Sequence, residues 1–169
     1  MATRRRSGLW WHSLVALGAL AADQVSKFAV EKFTVAGSQR VLVPGVLNLV
    51  HMNNPGVAFG LFADSDSPWL PMVLIVFSAG VILFLVWLLQ TGRAGGSLGQ
   101  AGMALILGGA AGNVFDRVLR RGVTDFIDFH IGNHHWYTFN VADSAIVIGA
   151  GFVLIELLSD WKHPSHQKA

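Results

Sequence analysis

The sequence contains no cysteine among its 169 residues. This absence excludes disulfide bonds, thiolate metal ligands and a cysteine nucleophile, so any chemistry must come from other side chains. Charge is also scarce, because 13% of the residues are charged while 53% are hydrophobic. A composition this apolar is unlike that of a soluble domain and is typical of a compact membrane protein. The net charge of +2 reflects a modest excess of Lys and Arg, which does not favour nucleic acid as a partner.

Four apolar segments are long enough to cross a bilayer as helices, at about residues 10–30, 69–89, 98–119 and 141–158. About 20 apolar residues suffice to cross a hydrocarbon core. The first segment follows an arginine triplet but lacks a convincing cleavage site, so we interpret it as a mature helix rather than a signal peptide. In the third segment, Gly108 and Gly112 have the spacing typical of closely packed helices. The chain is therefore predicted to be an α-helical integral membrane protein, with residues 1–169 forming a single polytopic membrane domain.

Residues 34–66 have a different character from the apolar segments. Pro44 and Gly45 break this region, and the β-prone stretches 41–43 and 46–50 flank the break. This pattern predicts a small extended or hairpin-like structure outside the bilayer.

Lysine and arginine do not orient the chain by number alone, since the 12 of them divide equally between the two proposed sides. Arg4, Arg5 and Arg6 stand directly before the first helix, and the first helix usually dominates orientation. Both termini are therefore predicted to be cytoplasmic. The extended region and the connection between the last two helices then face outward.

Two aspartates, Asp125 and Asp143, flank that last connection. Acidic side chains near a bilayer are costly and usually carry function. Two neighbouring carboxylates do not both ionise easily, so one can take a proton from water while the other donates one, as in aspartyl proteases. Asn140 is predicted to cap the fourth helix, whose positive end would favour an ionised Asp143. This environment favours Asp125, which we place in a loop, as the protonated partner, but the pair titrates as a unit and the sequence does not fix which aspartate holds the proton.

The residues alone leave other functions open. Intramembrane acids also serve in proton-coupled transporters and small channels, although relay acids tend to lie near the midplane rather than at helix ends. His130, His134 and His135 form a cluster, but we interpret their segment as a polar loop and assign no metal to it.

Residues on the first helix raise a separate question. Ser26 and Lys27 are adjacent, so they do not face each other as a catalytic dyad requires. Asp23 and Lys27 share a helix face, either as a pair at the membrane interface or as part of a site.

Five short blocks carry a resemblance to one family. They are DQVSK at residues 23–27, NPGVAF at 54–59, GGAAGNVFDR at 108–117, GVTDFID at 122–128 and FNVADS at 139–144. In this order on a four-helix chain, they resemble the bacterial lipoprotein signal peptidases, also called signal peptidase II. The second block departs from the family's usual pattern at Pro55 and Val57, which would stiffen that turn.

The resemblance implies an intramembrane aspartyl endopeptidase that removes the signal peptide of a prolipoprotein, cutting before the cysteine that carries diacylglyceryl. It implies Asp125 and Asp143 as the catalytic pair. The polar residues that it implies around the site are Asn54, Asn113, Arg117 and Asn140, with a supporting role for Asp23.

Several further expectations come from the same resemblance. They are four transmembrane helices with a small extracytoplasmic β-cradle, in the bacterial inner membrane, with the site toward the outer face. We expect no metal and no cofactor, a monomer in contact with membrane lipid, and inhibition by the cyclic peptide globomycin.

Overall fold

The computed structural model describes residues 9–55 and 69–162. This part of the chain contains four helices that are long and apolar enough to cross a membrane. The helices are α1 (Leu9–Phe33), α2 (Leu70–Thr91), α3 (Ser97–Arg120) and α4 (Val141–Lys162). With the small sheet described below, they confirm the predicted fold class. Each helix extends one to four residues past the predicted range at one end or both.

Helix α3 is the centre of the bundle and packs against the other three helices. Glycines make this packing close: a Cβ added at Gly108 would collide with the carbonyl oxygen of Ala16 on α1, and one at Gly109 with that of Ala142 on α4. A Cβ at Gly112 would lie 2.5 Å from a carboxylate oxygen of Asp23. The predicted role of the Gly108–Gly112 spacing in close helix packing is therefore confirmed.

The outer faces of the helices are apolar. On α2, for example, Phe77 and Leu83 are 69% and 70% exposed. Large exposed apolar surfaces are rare on soluble monomers. Here they are the surfaces that lipid would cover.

The small sheet is antiparallel and has four strands in the order β1-β2-β3-β4. The strands are β1 (Gln39–Val43), β2 (Leu47–Asn54), β3 (Val123–Ile131) and β4 (His134–His135). The β1–β2 hairpin turns at Gly45, which has a φ of 76°, so the break predicted at this glycine is where the chain reverses. The predicted β-region is thus confirmed for residues 39–54, and its residues 56–66 lie outside the described part of the chain.

Two placements made from the sequence are wrong. Asp125 does not lie in a loop but in strand β3, opposite Met52 of β2. The histidine segment is not a loop either, because His130 lies in β3 and His134 and His135 form β4. The polar residues within this stretch conceal the β propensity of its Val, Thr, Phe and Ile residues.

The chain order brings the sheet and α4 together. Helix α1 runs into β1, α3 runs into β3, and the chain then enters the start of α4. Asp125 on β3 and Asp143 in the first turn of α4 therefore lie at the same end of the bundle.

Candidate active site

The start of α4 is fixed by a reciprocal cap. The Asn140 Oδ1 accepts a hydrogen bond from the Asp143 backbone N–H at 3.0 Å, and the Asp143 Oδ2 accepts one from the Asn140 backbone N–H at 3.3 Å. This is the capping-box arrangement, with Asp in the place usually taken by Glu or Gln. The prediction that Asn140 caps the helix is confirmed, and the cap holds the Asp143 carboxylate at a defined position.

Asp125 is held by two amides. Its Oδ1 accepts a hydrogen bond from Asn140 Nδ2 at 2.7 Å, and its Oδ2 accepts one from Asn54 Nδ2 at 2.9 Å. The residue is 3% exposed. Burial raises the pKa of Asp125 to about 6; the Asn54 hydrogen bond opposes this rise and the negative charge of Asp143 adds to it.

Asn113 of α3 joins the two carboxylates into one network. Its Nδ2 donates to the Asp143 Oδ1 at 2.9 Å, and its Oδ1 accepts from Asn140 Nδ2 at 3.4 Å. Because Asn140 Nδ2 also donates to Asp125, two side-chain amides connect the carboxylates. The structure therefore brings Asp125, Asp143, Asn54, Asn113 and Asn140 together at one end of the bundle.

Arg117 lies one helical turn after Asn113. Its Nη1 donates to the Asn113 carbonyl oxygen at 3.1 Å, and its positive charge acts on Asp143 and Asp125. The guanidinium thus adds positive potential beside the carboxylates.

Asp23 takes a different position from the other predicted site residues. Its Oδ1 accepts a hydrogen bond from the Ala142 backbone N–H at 2.9 Å, and its Oδ2 contacts Lys27 Nζ at 2.8 Å. The Asp23 carboxylate thereby satisfies one of the free N–H groups at the start of α4. It positions the helix that carries Asp143 instead of contacting the aspartate pair.

A buried ionic cluster lies behind this contact. Lys27 Nζ is 2.7 Å from Asp116 Oδ2 and donates to Asn113 Oδ1 at 3.2 Å, and Arg120 also pairs with Asp116. The side chains of Asp23, Lys27 and Asp116 are 0% exposed. Asp23 and Lys27 therefore do pair, as their spacing predicted, and the pair is buried between helices in a cluster with Asp116.

Sequence reasoning missed Lys27, Asp116 and Arg120 as a cluster next to the site. Each of them stood in the sequence as a charge at the end of an apolar segment. Since buried charges must be paired, these isolated charges on α1 and α3 could have indicated a contact between the two helices.

An apolar groove opens beside Asp143. It has a volume of about 400 Å³ and is lined by residues 136–139 and by Asp143, Ser144, Val147 and Ile148 of α4. The fold and the site thus define an integral membrane protein in which a buried carboxylate, Asp125, and a partly buried one, Asp143, lie next to an apolar groove.

Comparison with known proteins places this class of protein in a family. The family described as "Signal peptidase (SPase) II" matches residues 15–159. A lipoprotein signal peptidase of Solibacter usitatus is 43% identical over 138 residues, which cover 82% of this chain and 84% of the relative. One of Maridesulfovibrio salexigens is 37% identical, with 84% of this chain and 91% of the relative covered.

The fold has counterparts among solved structures. A bacterial membrane enzyme solved by the in meso method at 2.3 Å resolution has a TM-score of 0.82 and 28% sequence identity, with 96% of this chain and 95% of the other covered. A second such structure, at 1.9 Å resolution, has a TM-score of 0.80.

The chain belongs to the signal peptidase II family, the lipoprotein signal peptidases. The resemblance identified from the five sequence blocks is confirmed. The protein is accordingly a membrane-embedded protease of lipoprotein processing, which counts against the transporter and channel alternatives.

Proposed function

We propose that this protein is an aspartyl endopeptidase that removes the signal peptide from diacylglyceryl-modified prolipoproteins by cutting before the lipidated cysteine. The observation that carries the proposal is the pair of carboxylates, Asp125 and Asp143, joined through Asn140 and Asn113 beside an apolar groove. A water molecule between the two carboxylates is the nucleophile, and no metal or cofactor takes part.

The two aspartates divide the proton transfers. Asp143, which accepts hydrogen bonds from Asn113 Nδ2 and the Asn140 backbone N–H, takes the proton from the attacking water. Asp125, whose pKa burial raises to about 6, holds the proton that passes to the leaving amine. The pair titrates as a unit, so its pH dependence belongs to both residues together.

The remaining predicted residues support this pair. Asn54 and Asn140 orient the Asp125 carboxylate, and Asn113 orients that of Asp143. Asp23 fixes the start of α4 by accepting the Ala142 backbone N–H. Arg117 supplies positive potential that stabilises negative charge developing on the scissile carbonyl.

The apolar groove beside Asp143 supports the proposal that the substrate carries lipid. Its lining is mostly aromatic and aliphatic, and the outer surfaces of the helices are apolar as well. Acyl chains that remain in the bilayer would therefore hold the scissile bond at the membrane surface, next to the aspartates. Globomycin, as an apolar cyclic peptide, would occupy the same place and block cleavage.

We infer the location from the same features. The protein acts as one polytopic domain and as a monomer in the bacterial inner membrane, with both termini in the cytoplasm. The sheet and the aspartates lie at one end of the bundle, and the arginine triplet before α1 supports our placement of that end at the outer face.

The test compares two substrates that differ only in the lipid. Purified protein in detergent is incubated with a prolipoprotein that carries diacylglyceryl on its cysteine and with the same precursor without lipid, and the products are identified by mass. We expect a product that begins at the lipidated cysteine, formed only from the modified precursor and absent when globomycin is present. Equal cleavage of both precursors, cleavage at another bond, or unchanged cleavage at saturating globomycin would contradict the proposal.

A further inference from the structure

A second group of chemically capable side chains lies on the sheet. Asp128 and His130 are two residues apart on β3, so they share one face of the strand. His135 of β4 pairs directly with His130 across the sheet. The three side chains each offer a ligand atom, and these atoms lie within 4.8 Å of one another.

The cluster is held in place by hydrogen bonds. Asn48 of β2, which is 3% exposed, donates through Nδ2 to Asp128 Oδ2 at 2.8 Å, and the same nitrogen is 3.5 Å from His130 Nδ1. His135 Nδ1 lies 2.9 Å from Asp128 Oδ1. A buried amide that orients a carboxylate is the kind of outer support that metal ligands receive in proteins.

The three side chains of the cluster lie on one side of the sheet, with the Asp128 carboxylate between Asn48 and His135. The His130 and His135 rings are stacked with their centroids 4.6 Å apart, so two imidazoles stand on the same side of the sheet as this carboxylate.

We propose that Asp128, His130 and His135 form a binding site for a divalent transition metal ion such as Zn²⁺. Two imidazoles and one carboxylate are a common ligand set for this ion, which leaves a fourth position for water. Ligand atoms at about 2.1 Å from a tetrahedral ion are about 3.4 Å apart. The spacing of at most 4.8 Å can close to this value by rotation of His135, whose side chain is 51% exposed.

The site is open to solvent. A cavity of about 400 Å³ lies beside the cluster, and its lining includes Asp128, His135 and Met52. An ion and its bound water can enter from this side.

The metal site is separate from the aspartate pair. The two groups share no residue, and their carboxylates are held by different amides, Asp128 by Asn48 and Asp125 by Asn54 and Asn140. The two-aspartate mechanism proposed above uses no ion at this position. The ion would cross-link β4 to β3 at the point where the chain leaves toward residues 136–139.

The test measures metal binding directly and does not depend on protease activity. Full-length protein without a histidine tag is stripped with EDTA, dialysed, and titrated with ZnCl₂ by calorimetry, with MgCl₂ as a comparison. We expect uptake of about one Zn²⁺ per chain, a higher unfolding temperature in Zn²⁺, and no response to Mg²⁺. Co²⁺ should give the visible absorption of a four-coordinate site.

Substitutions locate the site. His135→Gln and Asp128→Asn should each weaken Zn²⁺ binding at least about tenfold, in line with the loss of a ligand. His134→Gln is the matched control, because His134 is the exposed neighbour of His135 on β4 and lies outside the cluster. Its affinity for Zn²⁺ should equal that of the wild type. No Zn²⁺ uptake by folded wild type, or equal losses in His134→Gln and His135→Gln, would overturn the proposal.

Discussion

The raised pKa of Asp125 predicts a specific dependence of stability on pH. Burial moves this pKa from 3.8 to about 6, a difference that corresponds to about 3 kcal/mol. The folded protein binds the proton more tightly than the unfolded chain, so the stabilisation is complete below about pH 4. It is lost as the pH rises to about 6 and is absent above that value.

Asp125→Asn removes this titration. The free energy of unfolding of the wild type, relative to that of Asp125→Asn, should therefore fall by about 2–3 kcal/mol between pH 4 and pH 7. Any change that the new amide makes to the free energy of unfolding through its contacts with Asn54 and Asn140 is the same at every pH. It cancels, because only the dependence of the stability difference on pH is compared. The assay is denaturant unfolding in detergent micelles, followed by the fluorescence of the 6 tryptophans.

Asp128→Asn provides a control of opposite sign on the same strand. The lowered pKa of Asp128 stabilises the folded protein above the ordinary pKa of an aspartate, and this stabilisation is lost as the pH falls through the folded value. The wild type should therefore gain stability relative to Asp128→Asn as the pH rises. A stability difference between the wild type and Asp125→Asn that does not change from pH 4 to pH 7 would refute the assignment of a raised pKa to Asp125.

Three further changes test the surroundings of the site. Lys27→Met leaves the two buried carboxylates that it contacts without this cation, and should cost about 3–5 kcal/mol in unfolding experiments. Gly109→Leu places side-chain atoms against the backbone of α4 and should reduce the yield of folded protein and its unfolding temperature. Asn54→Ala removes a hydrogen bond that lowers the pKa of Asp125, so the alkaline limb of the pH profile of kcat/KM should move to higher pH.

Each of these changes has a control in the same chain. Lys32→Met alters an exposed lysine at the end of α1, and Gly80→Leu alters a glycine of α2 with open space around it. Asn53→Ala is the control for Asn54→Ala. Within the described residues, Asn54 donates a hydrogen bond to Asp125 and Asn53 does not. Equal stability losses in a test variant and its control, or an identical pH profile in Asn54→Ala and wild type, would contradict the corresponding prediction.

The sequence was sufficient for the features that depend on local pattern. The four helices follow from the length of the apolar segments, and the cap at Asn140 follows from its place before Asp143. The close approach of α3 to its neighbours follows from Gly108 and Gly112, since small residues are what such packing requires.

The local sequence pattern did not predict the features that depend on contacts between distant segments of the chain. Strand β3 is paired with β2, about 70 to 80 residues earlier in the chain, and Asp125 interrupts its apolar pattern. The burial of Lys27 depends on Asp116 of another helix. The sequence was searched for metal ligands at the spacing of a helix, which pairs His130 with His134. On strands, the neighbours of His130 are instead Asp128, two residues earlier, and His135, directly across the sheet.

The most direct test of the proposed mechanism is the rate at which wild type, Asp125→Asn and Asp143→Asn cleave a diacylglyceryl-modified prolipoprotein, with and without EDTA. Loss of proton transfer should lower the rate at least about 100-fold in each variant, while EDTA leaves wild-type cleavage unchanged. Folding of both variants is checked by their unfolding transitions. Full activity in either folded variant, or inhibition of the wild type by EDTA, would contradict the two-aspartate mechanism.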